Sequence, residues 1–326
     1  MKANLLPVLI AMALVGCGTT GLSYLREPKI FGAVPDHGFV RGLDWSPDGK
    51  YLVTGSAIKG DPSVVKVWEM PNGKLVHTLR GHSYHLESVA WSPDSNRIVS
   101  GSRDHTAKVW DATTGKVIHT LVGHIDDVNS VSWSPDSKHI ASTANRSGNV
   151  KVWDAATGKV LHTLKGHTGT GTSVAWSPDG KRLVSGNTDK AVKVWDAQGT
   201  GGGKALRTFL GHKENVNSVV WSPNGKAIAS GSHDKTVKVW DVINGKELYT
   251  LQGHTDIIWS VGWSPDGRRI ASGSSDKTVK IWEASSGKLL HTLFSDKGDI
   301  MSLAWSPDGR LLAAGSTPVQ LWKLSE

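Results

Sequence analysis

Histidine, serine and aspartate stand together in one stretch of this chain at spacings that suit nucleophilic chemistry. His82, Ser100 or Ser102, and Asp104 are the residue types of a hydrolase triad, with Trp110 close behind. In such a triad the imidazole takes the hydroxyl proton and the carboxylate orients the ring. The set recurs as His167, Ser185, Asp189 and Trp195, as His212, Ser230, Asp234 and Trp240, and as His254, Ser272, Asp276 and Trp282. An enzyme needs one such site. A copy in most units points to a structural task, since buried polar groups are costly unless paired and a satisfied network selects one arrangement. A second series, His77, His119, His162 and His291, falls on predicted outer strands too far apart to share a metal, and reads as solvated rim histidines. No GxxxxGK[ST] phosphate loop or zinc-protease pattern occurs, and Gly201 to Lys204 reads as a flexible loop. No catalytic residue, metal or cofactor is expected. Cys17 is the only cysteine, which excludes an internal disulfide and a cysteine metal cluster.

These residues are positioned by a repeat. The triplet Trp-Ser-Pro begins at Trp45, Trp91, Trp133, Trp176, Trp221, Trp263 and Trp305, with gaps of 46, 42, 43, 45, 42 and 42 residues. A second tryptophan closes each unit, at Trp68, Trp110, Trp153, Trp195, Trp240, Trp282 and Trp322. A fixed period of this length marks one supersecondary unit repeated. Such units cannot bury a core alone, so they stack into one body and override the two domains that length alone suggests. Each unit carries four strand signals. In the fifth they are VNSVVW, AIASGS, TVKVWD and KELYTL, separated by Asn-Gly and Asp-Lys turns. Four short antiparallel strands repeated around a ring predict a β-propeller.

The Gly-His pairs (from Gly81-His82 to Gly253-His254), the SPDG turns and the Trp-Asp pairs (from Trp110-Asp111 to Trp240-Asp241) resemble the WD-repeat propeller family over residues 29–326. The resemblance implies an all-β, seven-bladed propeller of four-stranded antiparallel blades. It also implies ring closure by Lys29 to Val34, which would supply the strand that the last repeat lacks and remove two free edges. It assigns His82, Asp104 and Trp110, with their counterparts His167, Asp189, Trp195, His212, Asp234, Trp240, His254, Asp276 and Trp282, to a structural hydrogen-bond network.

In this family partners bind the face of the Gly-His loops around the central channel. Carried over by position, the partner-binding candidates are Phe39, Arg41, His85, Glu87, Arg103, Asp127, Asn129, Asn217, His233, Trp259, Asp299 and Met301, with Arg146 at the turn position of the third repeat. Scaffold positions repeat along the chain while these vary, as a specific surface requires. Trp259, Phe39, Arg41 and Arg103 are the expected anchors, because aromatics and arginines dominate interface energetics. Several units depart from the pattern. Asp36-His37 and Ser295-Asp296 replace Gly-His, AIKGDP is inserted from Ala57 to Pro62, and Ser147 stands at an aspartate position.

Residues 1–16 read as an export signal: Lys2 supplies the positive end and Leu5 to Val15 an apolar run too short to span a bilayer comfortably. The run ends in Leu14 to Cys17, which resembles the lipobox of bacterial lipoproteins. That resemblance implies acylation of Cys17, and two or more acyl chains anchor firmly where one does not. Residues 17–28 then form the tether of a lipid-anchored propeller in a bacterial cell envelope. The net charge of +8 and pI of 9.4 are compatible with an acidic partner. The lysines recur once per unit, however, as a ring of solvated charge, so nucleic acid is not the expected partner. The expected function is a non-enzymatic scaffold, a monomeric propeller within a complex, holding a protein or peptide. The alternative is a binder of envelope glycan or anionic polymer through Trp259. A weaker alternative is an enzyme built on channel carboxylates such as Glu87, Asp127 and Asp299.

Overall fold

Within a repeat, the strands follow from how the side chains alternate. In Val216–Trp221, Val216, Val219 and Trp221 are buried while Asn217, Ser218 and Val220 are half-buried. In Ala227–Ser232 every residue but the first is buried, because this strand is covered on both faces. Gly225, at φ +68°, turns the chain between them without the cost a side chain would meet there.

The computed structural model describes residues 29–36, 38–58, 61–200, 202–296 and 298–324. The calls on the export signal, the tether and Cys17 lie outside the described residues. The chain forms seven four-stranded antiparallel sheets, the blades of a propeller. Blades 1 to 6 span residues 39–80, 86–122, 128–164, 171–209, 216–251 and 258–294. Blade 7 combines residues 302–323 with the strand Lys29–Val34. That strand pairs with Val319–Lys323, Lys29 opposite Lys323 and Val34 opposite Val319, so the expected closure is the one found. The AIKGDP insertion lengthens a hairpin of blade 1, Tyr51–Ile58 against Asp61–Glu69.

Apolar side chains meet between blades. One cluster joins Val99, Ala107 and Val109 of blade 2 to Val128, Val131 and Trp133 of blade 3. Three further kinds of contact recur at the seams, beginning at the axis. There a serine hydroxyl on one innermost strand accepts a backbone N–H from the next: Ser88 from Val131 (3.2 Å), Ser130 from Val174 (3.1 Å), Ser173 from Val219 (3.1 Å), Ser218 from Val261 (3.1 Å) and Ser260 from Leu303 (3.0 Å). Lower on the seam, the Trp-Ser-Pro indole is covered by the residue that opens the second strand of the preceding blade. Arg97, Arg182 and Arg269 stand 4.8, 5.0 and 5.0 Å over Trp133, Trp221 and Trp305. Tyr51 and His139 stack at 6.2 and 6.1 Å on Trp91 and Trp176.

At the rim, a glycine turn of one blade folds over the outer strand of its neighbour. A Cβ at Gly115, Gly158 or Gly199 would fall 3.5, 3.3 or 2.8 Å from the ring of His77, His119 or His162. These histidines are therefore half-buried beneath the next blade. This corrects the solvated-rim expectation, which took no account of the neighbouring turn.

Blade 1 has Gly42 where the other blades carry the seam serine. A Cβ there would come within 2.7 Å of Val89 N and 2.9 Å of Ser88 Cα. Gly42→Ala is expected to open this seam and cost about 1–3 kcal/mol, as overpacking does, seen as a lower urea midpoint with unchanged slope.

Candidate functional site

A β-bulge interrupts the pairing of the first two strands in each of blades 1 to 6. The register slips between Val40 and Gly42, Leu86 and Ser88, Val128 and Ser130, Gly171 and Ser173, Val216 and Ser218, and Ile258 and Ser260. The residues left out of the ladder are Arg41, Glu87, Asn129, Thr172, Asn217 and Trp259. A bulge re-aims the side chain it releases. These six, joined by Met301 of blade 7, line one cavity of about 240 Å³ at the axis. Six of the twelve partner-binding candidates thus meet in one mouth (Arg41, Glu87, Asn129, Asn217, Trp259 and Met301). Thr172 completes the ring.

The mouth has two unlike halves. Across blades 1 to 3 it is ionic. Arg41 Nη1 reaches Glu87 at 3.0 Å, Arg103 Nε reaches the other Glu87 oxygen at 2.5 Å, and Asp127 lies 3.9 Å from Arg103 and 3.7 Å from His105. Across blades 5 to 7 it is aromatic and apolar. The Trp259 indole N–H donates to Ser275 Oγ (2.8 Å), Ser275 donates to Asp299 (2.9 Å), and the His233 ring meets Trp259 edge-on at 5.3 Å. Burial lowers the pKa of His233 despite nearby Glu214, which favours the neutral ring. Trp259 thus belongs to the mouth and not to a blade seam. Asn217 and Asn129 donate to the Ile258 and Gly171 carbonyls, so both are committed to the scaffold as well as to the lining.

Phe39 is 74 % exposed and His85 half-buried on the loops around the mouth. Arg146 does not occupy the turn position expected of it. The third repeat has one extra residue there, and Asn145 N donates to the Asp127 carbonyl as Arg103 N does to that of His85. Asn145 Nδ2 also reaches Asp127, at 3.1 Å, while Arg146 lies outside and pairs with Asp126 at 2.9 Å. His105, Asp126 and Asp127 bring ligand atoms within 4.8 Å of one another. Their carboxylates are met by Arg146, Asn145 and Arg103, so the cluster is an ion-pair group. The carboxylates named for channel chemistry are likewise engaged: Glu87 by two arginines, Asp127 by Asn145, Asp299 by Ser275.

Beneath the loops the triad-like sets form one chain of bonds in blades 2, 4, 5 and 6. In blade 5 Trp240 Nε1 donates to Ser230 Oγ (2.8 Å), Ser230 meets His212 Nε2 (2.7 Å), and His212 Nδ1 meets Asp234 (2.8 Å). The carboxylate can only accept, so Nδ1–H donates to it; in that tautomer Nε2 accepts from the serine hydroxyl, whose oxygen takes the indole N–H. The proton order is that of a hydrolase triad. Ser230, however, is fully buried beneath the indole, so no substrate reaches it. Burial alone would raise the Asp234 carboxyl; bonds from His212 and Thr236 outweigh it and hold the pKa far below the usual range. In His167 and His254 lost hydration outweighs the facing aspartate and lowers the pKa.

Blade 3 lacks the aspartate. His124 Nδ1 has no partner among the described residues, and burial, then Lys151, lowers its pKa to about 4. Blade 1 inverts the charge, and it corrects the expected alignment: Asp36, nine residues before Trp45 as His212 is before Trp221, stands for the histidine and not for the glycine. It accepts from Thr54 (2.7 Å) and pairs with Lys66 (2.9 Å), while Trp68 donates to Thr54. In blade 7 Asp296 accepts from Gln320 (2.9 Å).

Asp44 was not anticipated. It stands one residue before Trp45, where the other repeats have alanine, serine, valine or glycine. Its oxygens accept the N–H groups of Trp91 (2.8 Å) and Trp45 (3.0 Å). Burial pushes its carboxyl up to about 7, against those two bonds. The signal was available: Asp44 is the one ionisable residue at that repeat position.

Comparison with known proteins agrees with this architecture. The profile described as WD domain, G-beta repeat matches residues 29–69, 73–111, 115–154, 158–196, 203–241, 245–283 and 287–317. Similar proteins include Protein HIRA of Dictyostelium discoideum, 35 % identical over 90 residues (24 % of this chain, 8 % of that protein). Cilia- and flagella-associated protein 52 of Sus scrofa is 39 % identical over 67 residues (21 % and 10 %). The WD repeat-containing protein WDS homolog of Arabidopsis thaliana is 39 % identical over 64 residues (19 % and 12 %). The matched part of this chain spans only about a tenth of each relative's length.

Two outcomes follow from the buried groups. Asp234→Ala leaves His212 Nδ1 unpaired and is expected to cost about 1–3 kcal/mol, read by urea unfolding. Asp44 carries the opposite linkage to the network aspartates. Its folded pKa lies above the unfolded one, so its contribution to stability falls as pH rises from about 4 to about 7. Asp44→Asn is therefore expected to gain in urea midpoint over wild type at neutral pH relative to acidic pH. An identical pH profile in both proteins would refute the assignment.

Proposed function

The chain belongs to the WD40-repeat propeller family, and on that premise we propose that it is a non-enzymatic scaffold holding a protein or peptide partner at the axial mouth. The observation that carries this reading is the row of bulges. One residue in each of blades 1 to 6 is released from the ladder into a common cavity, and those residues differ in charge, size and aromaticity while the frame beneath them repeats. The partner chemistry that fits is mixed, with polar or charged groups for Arg41, Arg103 and Glu87 and an apolar or aromatic group for Trp259, Met301 and Phe39. Aromatic and arginine side chains at the centre of such a surface supply most of the binding energy.

The same proposal places the protein in a bacterial cell envelope, tethered through acylated Cys17. Its support is the lipobox-like sequence that ends at Cys17 and the apolar run before it.

Two measurements test this reading. The double variant Trp259→Ala, Arg103→Ala is expected to lose partner capture by at least about tenfold, as for loss of a strong anchor, without loss of fold. Equal capture by both proteins would rule out the mouth. Intact mass of membrane-extracted protein should show cleavage before Cys17 and added acyl chains, both abolished in Cys17→Ser. An unmodified chain in the soluble fraction would overturn the anchor and leave the mouth untouched.

A further inference from the structure

The seam between blades 5 and 6 breaks the pattern of the others on the face opposite the mouth. At the residue that opens the second strand, blade 5 has Ala227 where Tyr51, Arg97, His139, Arg182 and Arg269 cover the indole of the next blade. The uncovered ring is Trp263. Its six counterparts are at most 9 % exposed, while Trp263 is only partly buried. Trp263 Nε1 has also turned to the Gly267 carbonyl of its own blade (3.0 Å), whereas Trp45, Trp133, Trp221 and Trp305 donate across the seam. The same blade carries a second departure. Its turn reads SPNG, so Asn224 stands where the other repeats have aspartate, and one carboxylate is missing.

Both changes open onto a single cleft of about 500 Å³, a size typical of binding pockets. Its apolar lining is Trp263, Tyr249 and Leu248, the last 46 % exposed because a bulge in the outer strand releases it from pairing. The Tyr249 hydroxyl donates to the Ser285 carbonyl, which fixes that ring against blade 6. Lys226 and Arg268 stand in the lining. Neither side chain makes a hydrogen bond or ion pair among the described residues, although Arg268 lies near enough to Asp266 to lower its pKa. The lining carboxylate, Glu283, is capped by the Ser286 hydroxyl.

We propose that this cleft is a second binding site, for an acidic peptide segment carrying one bulky apolar side chain. The apolar side chain packs against Trp263, Tyr249 and Leu248, where the other seams seat a side chain of their own. Flanking carboxylates meet Lys226 and Arg268. The charge balance of the lining selects this occupant. The seam has lost one carboxylate and a covering side chain, and it keeps two cations against one capped acid. A partner arginine, which would copy the other seams, meets those two cations instead.

The test uses the whole protein, labelled with nitrogen-15, and the peptide acetyl-Asp-Glu-Phe-Glu-Asp-amide. The Trp263 indole resonance is assigned through Trp263→Phe. Saturable shift of that resonance is expected, weakened by salt and absent with the peptide in which lysines replace the acids. Ala227→Arg refills the seam and should weaken binding at least about tenfold while keeping or raising the melting temperature. Lys226→Glu with Arg268→Glu, both at the surface, should do the same without altering the seam. An indole unmoved by millimolar peptide would overturn the proposal. So would equal affinity for the charge-reversed variant, or binding of a neutral oligosaccharide in place of the peptide. Trp259→Ala should leave this affinity unchanged, which separates the cleft from the mouth.

Discussion

A single blade has two apolar faces and can cover neither, so every other feature of the molecule depends on the seam between adjacent blades. The seam is fastened at three radii by different physics. At the axis a serine hydroxyl accepts a backbone N–H from the next innermost strand. Lower down an indole is sandwiched under a guanidinium, a phenol or an imidazole. At the rim a glycine turn closes over an aromatic ring. Because each fastening involves two blades, no blade is satisfied until the ring is complete. The strand Lys29–Val34 is therefore an integral part of blade 7, with Val34 fully buried.

The polar network within the blades answers a different need. Loops over a propeller leave backbone and side-chain groups beneath them cut off from water, and the histidine-serine-tryptophan chain meets that demand from inside. Its proton order matches that of a hydrolase because the same three donors and acceptors impose it. What separates the two is access: a hydroxyl sealed beneath an indole has no reactant. The first blade shows that the network is defined by satisfaction and not by residue type, since Asp36, bonded to Thr54 and Lys66, serves where histidine serves elsewhere. The third shows the cost of an incomplete set, with His124 Nδ1 unpartnered among the described residues and its imidazole held neutral.

Function is carried by what the repeats do not share. Bulges convert a periodic frame into a display, releasing Arg41, Glu87, Asn129, Thr172, Asn217 and Trp259 from the ladder at equivalent points. Asn129, Thr172 and Asn217 are also tied to the frame, through the Gly171, Val216 and Ile258 carbonyls. The same logic operates on the opposite face, where Ala227 leaves Trp263 without a covering side chain.

The sequence by itself determined the number of blades, their strands, the closing strand, the network and the positions around the mouth. All of these follow from a period and from residue types that mean the same thing in every copy. Only the tertiary structure decided the rest, because it depends on neighbours distant in sequence. Arg146 yields its place to Asn145 because one inserted residue shifts a turn. His77 and His119 lie beneath the turns of the following blade. Asp44 has its carboxyl pushed up because blade 2 packs over it at Trp91. Trp263 bonds within its own blade and stays only partly buried, where an alanine in the preceding blade leaves its ring uncovered. A repeat pattern fixes what each unit can offer; which offers are taken up is settled where the units meet.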